Sequence, residues 1–167
     1  MIDIDVSPVT PDDARAFVTL YRFYWYDFTE FTGEDVDPSG VFDDRFAEAY
    51  LTKPQHTPFL FRVEGRFAGL AVVRTTDAVD GSGEVTDMEQ FFVMRKYRRR
   101  GAGEAAARAL FDRYPGRWQV RVRHDNLPAQ AFWRATISRF TNGNFTELAA
   151  GASPTGGPVH YFEAPAA

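Results

Sequence analysis

The sequence contains no cysteine, which excludes disulfides, zinc-thiolate centres and cysteine nucleophiles and is compatible with a reducing compartment. Its only histidines are His56, His124 and His160, which show no metal-ligand spacing, so no metal is expected. No apolar run approaches the roughly 20 residues that a membrane-spanning helix needs, so no membrane partner is expected. An excess of basic charge is also missing. Nineteen Lys and Arg face 23 Asp and Glu, and a net charge of −4 argues against a chain whose main task is to bind nucleic acid. The opening residues Met-Ile-Asp-Ile-Asp-Val lack the basic-then-apolar pattern of a secretory leader, so a cytoplasmic location is the expectation.

Aromatic residues, by contrast, are abundant. Sixteen Phe, seven Tyr and three Trp are enough for a well-filled core and for aromatic pocket walls. The length, 167 residues, suits one domain over 1–167 with one hydrophobic core.

Periodicity and punctuation give the element order. Ile2, Ile4 and Val6 alternate with polar residues as in a half-buried strand. Thr10-Pro11-Asp12-Asp13 reads as a capped helix start, and Ala14, Phe17, Val18, Tyr21, Trp25 and Phe28 continue it over 11–28. The stretch 33–40 reads as a loop, and a second helix is expected over 42–51. Strands follow at 58–63, 67–74 and 85–93, the first two joined by a tight turn at Glu64-Gly65-Arg66. A helix over 101–114 ends at Pro115-Gly116, a strand covers 118–122, and Asn126 to Phe140 reads as another helix. Strands at 145–148 and 159–163 form an antiparallel hairpin whose Gly-, Ser- and Pro-rich connection is expected to be mobile. The fold class is therefore α+β: a mixed, mostly antiparallel central sheet flanked by helices, with one parallel insertion.

The stretch that carries chemistry runs from Glu89 to Ala105. A strand feeds a basic turn, and the turn opens a helix with Gly101 and Gly103 at its mouth. The first amides of a helix lack internal partners and sit at the positive end of its dipole, so they form an anion site. Glycine lets a diphosphate approach the backbone, and Arg95, Lys96, Arg98, Arg99 and Arg100 add positive charge. A solvated turn and an RNA-binding patch are the other readings of these cations.

Arg98-Arg99-Arg100-Gly101-Ala102-Gly103 resembles the Gln/Arg-x-x-Gly-x-Gly/Ala pattern of the GNAT superfamily, the GCN5-related N-acetyltransferases. Val93 stands where that family has a strand-end valine, and Asn126-x-x-Ala129-x-x-Phe132-Trp133 is similar to its next helix. The resemblance implies the GNAT acyl-CoA N-acyltransferase fold and acetyl-CoA as cosubstrate. It implies that the backbone of Arg99, Arg100, Gly101, Ala102, Gly103 and Glu104 holds the diphosphate, with Arg98 opening the motif. The main chain of Phe92, Val93 and Met94 would pair with the pantetheine arm like an added strand. Asn126 would bond the pantetheine or cap its helix, and Phe132 and Trp133 would wall the thioester end or fill the core.

The implied activity is direct transfer of an acetyl group to the primary amine of a small molecule or peptide. A non-catalytic acyl-CoA-binding or regulatory domain is the alternative, and a homodimer is compatible with the family. Acyl transfer needs a group to take the amine's proton. Asp87 stands where histone-type relatives carry their catalytic glutamate. Glu89, two residues on, should share its face, since strand side chains alternate. Glu89 is the first choice and Asp87 the second. The family's tyrosine acid is missing from the Asn126 helix, which leaves Tyr161, water or no acid at all. For the acceptor, Tyr24, Tyr26, Asp27 and Glu30 would offer ring faces and carboxylates to a cationic amine.

Overall fold

The computed structural model describes residues 2–42, 45–149, 151, 154 and 156–166. Strand β1 (Ile4–Pro8) leads through a 3-10 turn (Pro11–Asp13) into helix α1 (Ala14–Thr32). Thr10 does not cap an amide with its side chain. Its Oγ1 donates to Asp13 Oδ2 at 3.2 Å while the Asp13 amide donates to the Thr10 carbonyl at 3.0 Å. Helix α1 runs four residues beyond the expected end at 28, because the first residue to take the left-handed conformation is Gly33, at φ 68°. Helix α2 is Arg45–Thr52; the expected start at 42 is followed by residues 43 and 44, which lie outside the described residues.

Strands β2 (His56–Val63) and β3 (Arg66–Asp77) meet through Glu64 and Gly65, with φ 52° and 71°. Two left-handed residues in a two-residue loop match the twist of the flanking strands. Then come β4 (Glu84–Val93), a 3-10 turn (Arg95–Tyr97), α3 (Ala102–Arg113), β5 (Gly116–Arg121), α4 (Leu127–Thr141), β6 (Phe145–Leu148) and β7 (Val159–Ala164). The strands form one sheet in the order β1-β2-β3-β4-β5-β7-β6. Strands β1–β2, β5–β7 and β6–β7 pair antiparallel, and β4–β5 pairs parallel with Thr86 opposite Trp118 and Asp87 opposite Gln119. A parallel pair needs a crossover, and α3 supplies it. The α+β expectation of a mixed, mostly antiparallel sheet with helices holds.

The chain divides into two compact units, Met1–Val72 with Gln90–Ala106, and Val73–Glu89 with Ala107–Ala167. In the first, Phe17, Leu20 and Tyr21 of α1 bury against Ala47 and Tyr50 of α2 and Leu60, Leu70, Val72 and Phe92 of the strands. Tyr21 sits 5.8 Å from the Trp25 ring and 5.9 Å from that of Tyr50. In the second, Phe111 is the hub, with ring centroids 4.8 Å from Phe162, 5.0 Å from Trp118 and 5.1 Å from Phe140. Such pairs add roughly 0.5–1.5 kcal/mol each beyond the area they bury, so the phenylalanine-rich composition is largely accounted for by packing.

In the connection before β7, which the sequence leads one to expect mobile, residues 150, 152, 153 and 155 lie outside the described residues. Gly157 is described, and a Cβ there would stand 1.9 Å from the Val122 carbonyl oxygen and 2.6 Å from the Arg123 carbonyl carbon.

Candidate functional site

In the first unit the exit of β4 is fixed from two sides. The Met94 amide donates to the Ala68 carbonyl at 2.8 Å. Next to it, a Cβ on Gly69 would fall 2.1 Å from the Phe92 carbonyl oxygen and 2.9 Å from a ring carbon of Phe61, so only a residue without a side chain fits under the strand. Arg98 then folds back, its Nε donating to the Val93 carbonyl at 2.7 Å, its guanidinium 5.6 Å from the Phe92 ring centre. The Met94 carbonyl accepts from the Tyr97 amide at 2.9 Å. At Met94 these bonds leave the carbonyl, and not the amide, to the expected edge pairing. The Met94 amide, a single donor, is already used, whereas the two carbonyls each keep a second lone pair.

Beyond Arg98 the turn opens. Arg99 and Gly101 take positive φ of 59° and 83°. The first bond at the mouth of α3 is Ala105 N–H to the Gly101 carbonyl, 3.0 Å, so the amides of Ala102 and Gly103 ahead of it have no helical acceptor. A Cβ on Gly101 would meet nothing within 4 Å, so the space beside that residue is open. Arg99 and Arg100 are exposed and make no ion pair among the described residues, and Glu104 is half-buried in the first turn. Left-handed backbone, donors without helical acceptors and two solvent-facing guanidiniums suit a diphosphate.

In the second unit, β4 carries the two candidate carboxylates. Asp87 is fully buried: Arg121 donates to it through Nε at 3.2 Å and Nη2 at 2.6 Å, and Arg74 Nε sits 3.1 Å from Oδ2. Glu89 Oε2 lies 3.2 Å from the same Arg74 Nε, and its side chain is 16% exposed. A shared guanidinium puts both acids on one side of the strand, as alternation predicts. Only Glu89 keeps contact with solvent. Asn126 caps α4, its Oδ1 accepting from the Ala129 amide at 3.1 Å. Trp133 is buried, 6.4 Å from the Phe111 ring and 4.9 Å from that of half-buried Phe132, which places Trp133 in the core.

Tyr161 is buried on β7. Its hydroxyl accepts from the Asp80 amide at 3.2 Å in the turn between β3 and β4, Arg117 covers its ring, and burial raises its pKa above the ordinary tyrosine value.

The four acceptor candidates on α1 separate. Tyr24 donates to Gln90 Oε1 at 2.7 Å, and Gln90 in turn donates to the Tyr50 hydroxyl at 2.8 Å. Asp27 is bound by Arg95 and Arg98 instead of facing an amine. Tyr26 and Glu30 are exposed. None of the four lines an open surface hollow of about 270 Å³ in this unit, walled by Trp25, Glu34, Asp35, Phe42 and Phe46. Glu34 accepts from the Trp25 indole N–H at 2.6 Å. Among the described residues, no group of three or more His, Asp or Glu could hold a metal ion, and no helix is long and apolar enough to cross a membrane.

A sequence profile of the Acetyltransferase (GNAT) family matches residues 17–136, which includes the whole turn and both carboxylates. The chain belongs to the GNAT acetyltransferase family. Solved structures also resemble it, over 80–99% of its length. An acetyltransferase from Thermus thermophilus is 19% identical with a TM-score of 0.64, covering 96% of this chain and 97% of its own. The ribosomal-protein-S18-alanine N-acetyltransferase from Escherichia coli is 15% identical with a TM-score of 0.61, covering 99% and 96%. AAC(6')-Iy, solved with the bisubstrate analogue CoA-S-monomethyl-acetylneamine, is 18% identical with a TM-score of 0.59, covering 80% and 89%. At these identities the likeness is one of fold. No curated protein matches the chain in sequence.

Proposed function

We propose that this GNAT protein is an N-acetyltransferase that moves an acetyl group from acetyl-CoA to a primary amine by direct transfer. The observation that carries the reading is the mouth of α3, where the Ala102 and Gly103 amides lack helical acceptors and the space beside Gly101 is open. The backbone from Arg99 to Glu104 holds the diphosphate, and Arg99 and Arg100 screen its charge. The cosubstrate supplies the activated acetyl thioester. The chain's own contribution to the chemistry is a proton acceptor. Glu89 fits that task better than Asp87, because Asp87 is sealed from solvent with both oxygens held by arginines while the Glu89 side chain is 16% exposed. Arg74, 3.2 Å from Glu89, orients the carboxylate. The hollow of Trp25, Glu34, Asp35, Phe42 and Phe46 supports a cationic amine as acceptor, since ring faces and carboxylates both attract positive charge.

Two measurements test this. Calorimetric titration with CoA should give saturable binding that Gly101→Asp abolishes, because the new side chain brings bulk and negative charge into the mouth. Unchanged affinity would remove the turn from the site. Thiol release from acetyl-CoA over a panel of amines should exceed buffer for at least one acceptor and fall by roughly 10²–10⁴ in Glu89→Gln, the usual range for a general base. CoA binding without turnover on any amine would favour the non-catalytic alternative.

A further inference from the structure

Asp27 lies on α1, 68 residues before Arg95, yet it is the shared partner of the two arginines that bracket the start of the coenzyme turn. Its Oδ1 accepts from Arg95 Nε at 3.1 Å and Nη2 at 2.8 Å, while its Oδ2 accepts from Arg98 Nη2. The carboxylate is 17% exposed, whereas Arg95 and Arg98 are 73% and 41% exposed. Arg98 has two further anchors, the Val93 carbonyl at 2.7 Å and the face of Phe92. The 3-10 turn Arg95–Tyr97 is thus closed at both ends by side chains that converge on one carboxylate, and the backbone that follows, Arg99 to Gly103, starts from a fixed point.

We propose that Asp27 is a positioning residue for the coenzyme turn and not an acceptor-binding group. By holding Arg98 back against Val93, it keeps that guanidinium out of the mouth of α3 and sets the path of the left-handed residues Arg99 and Gly101. A diphosphate then meets donors already in place, which preserves affinity that would otherwise go into ordering the loop. A second effect of Asp27 runs the other way, because a negative charge near the site repels phosphate. That charge is neutralised at contact by two guanidiniums, so positioning outweighs repulsion.

This inference rests on the coenzyme reading, and the test separates the two. Calorimetry with CoA and with inorganic pyrophosphate is carried out on the wild type, Asp27→Asn and Asp27→Glu. The neutral isostere should weaken both probes by roughly three- to tenfold, the size expected for the loss of one charge-assisted contact acting indirectly. Asp27→Glu should recover part of the loss, and the unliganded melting temperature of Asp27→Asn should stay close to that of the wild type. Arg98→Lys, which keeps the charge but cannot bond Val93 and Asp27 through one planar fork, should show the same loss for both probes. Should Asp27→Asn not fold, that variant carries the test. A wild type that binds neither probe overturns the coenzyme reading together with this inference. A wild type that binds both, beside an Asp27→Asn protein of equal or tighter affinity, overturns the inference alone and makes Asp27 a competing charge.

Discussion

Asp27 and Asp87 have the same number of partners and opposite surroundings. Each carboxylate is held by two arginines, Asp27 by Arg95 and Arg98 in the first unit, Asp87 by Arg74 and Arg121 in the second. Asp87 is inaccessible to solvent, and the side chains of its arginines are only 26% and 18% exposed. Around Asp27 the arginines reach water. Where charges are desolvated, removing one partner leaves the others buried and uncompensated; where they are wet, solvent replaces the lost contact. An identical pattern therefore serves stability in one place and loop geometry in the other.

The sharpest way to break the comparison is Asp87→Ala. It should cost about 3–5 kcal/mol in urea unfolding, because Arg121 would lose the carboxylate that accepts two of its hydrogen bonds and Arg74 would be left with Glu89, all in a shielded setting. A loss below about 1 kcal/mol would mean that water enters the network and that the two sites are alike.

Gly157→Ala comes next. Its Cβ would overlap main-chain atoms of Val122 and Arg123, which cannot rotate away, so a loss of about 1–3 kcal/mol is expected from the same unfolding curves. An unchanged midpoint would show that the segment before β7 shifts freely.

The pH dependence is a smaller effect. His160 is fully buried, its Nδ1 3.3 Å from Glu147, and burial lowers its pKa below 6.5 despite that neighbour. The unfolded chain therefore binds a proton that the folded chain refuses, and stability falls as pH drops below about 6.5 and onward until the folded imidazole itself titrates. The slope cannot exceed about 1.4 kcal/mol per pH unit for one proton. Glu147, whose pKa is lowered by its hydrogen bonds from Arg134, adds a further loss below its unfolded value of 4.5. Unfolding midpoints at about pH 7.5 and about pH 5.5, either side of the ordinary imidazole value, should separate for the wild type and converge for His160→Gln. Equal slopes would acquit the histidine.

The smallest stability effect should belong to Asp27→Asn, within about 1 kcal/mol. A large loss there would erase the contrast with Asp87.

The sequence was most legible where chemistry is local. The tight turn at Glu64-Gly65 and the glycine-opened mouth of α3 both follow from residues a few positions apart, although the end of α1 was placed four residues too early. The common side of Asp87 and Glu89 followed from strand alternation. Partner choice was not legible. Nothing near Asp27 announces Arg95 and Arg98, and nothing near Tyr161 announces the Asp80 amide 81 residues before it. Those pairings depend on which strands become neighbours, and a long flexible arginine can satisfy several acids equally well in sequence terms. Likewise nothing in the aromatic run on α1 announces that Tyr24 donates to Gln90, 66 residues further on.

Gly69 has a consequence for anyone who alters this protein. The hydrogen facing the Phe92 carbonyl occupies the whole of the space that exists there, so polarity, charge and hydrophobicity of a replacement are all irrelevant. A saturation library at codon 69 should return one viable residue where neighbouring codons return many, and the rejected variants should fail alike regardless of their chemistry.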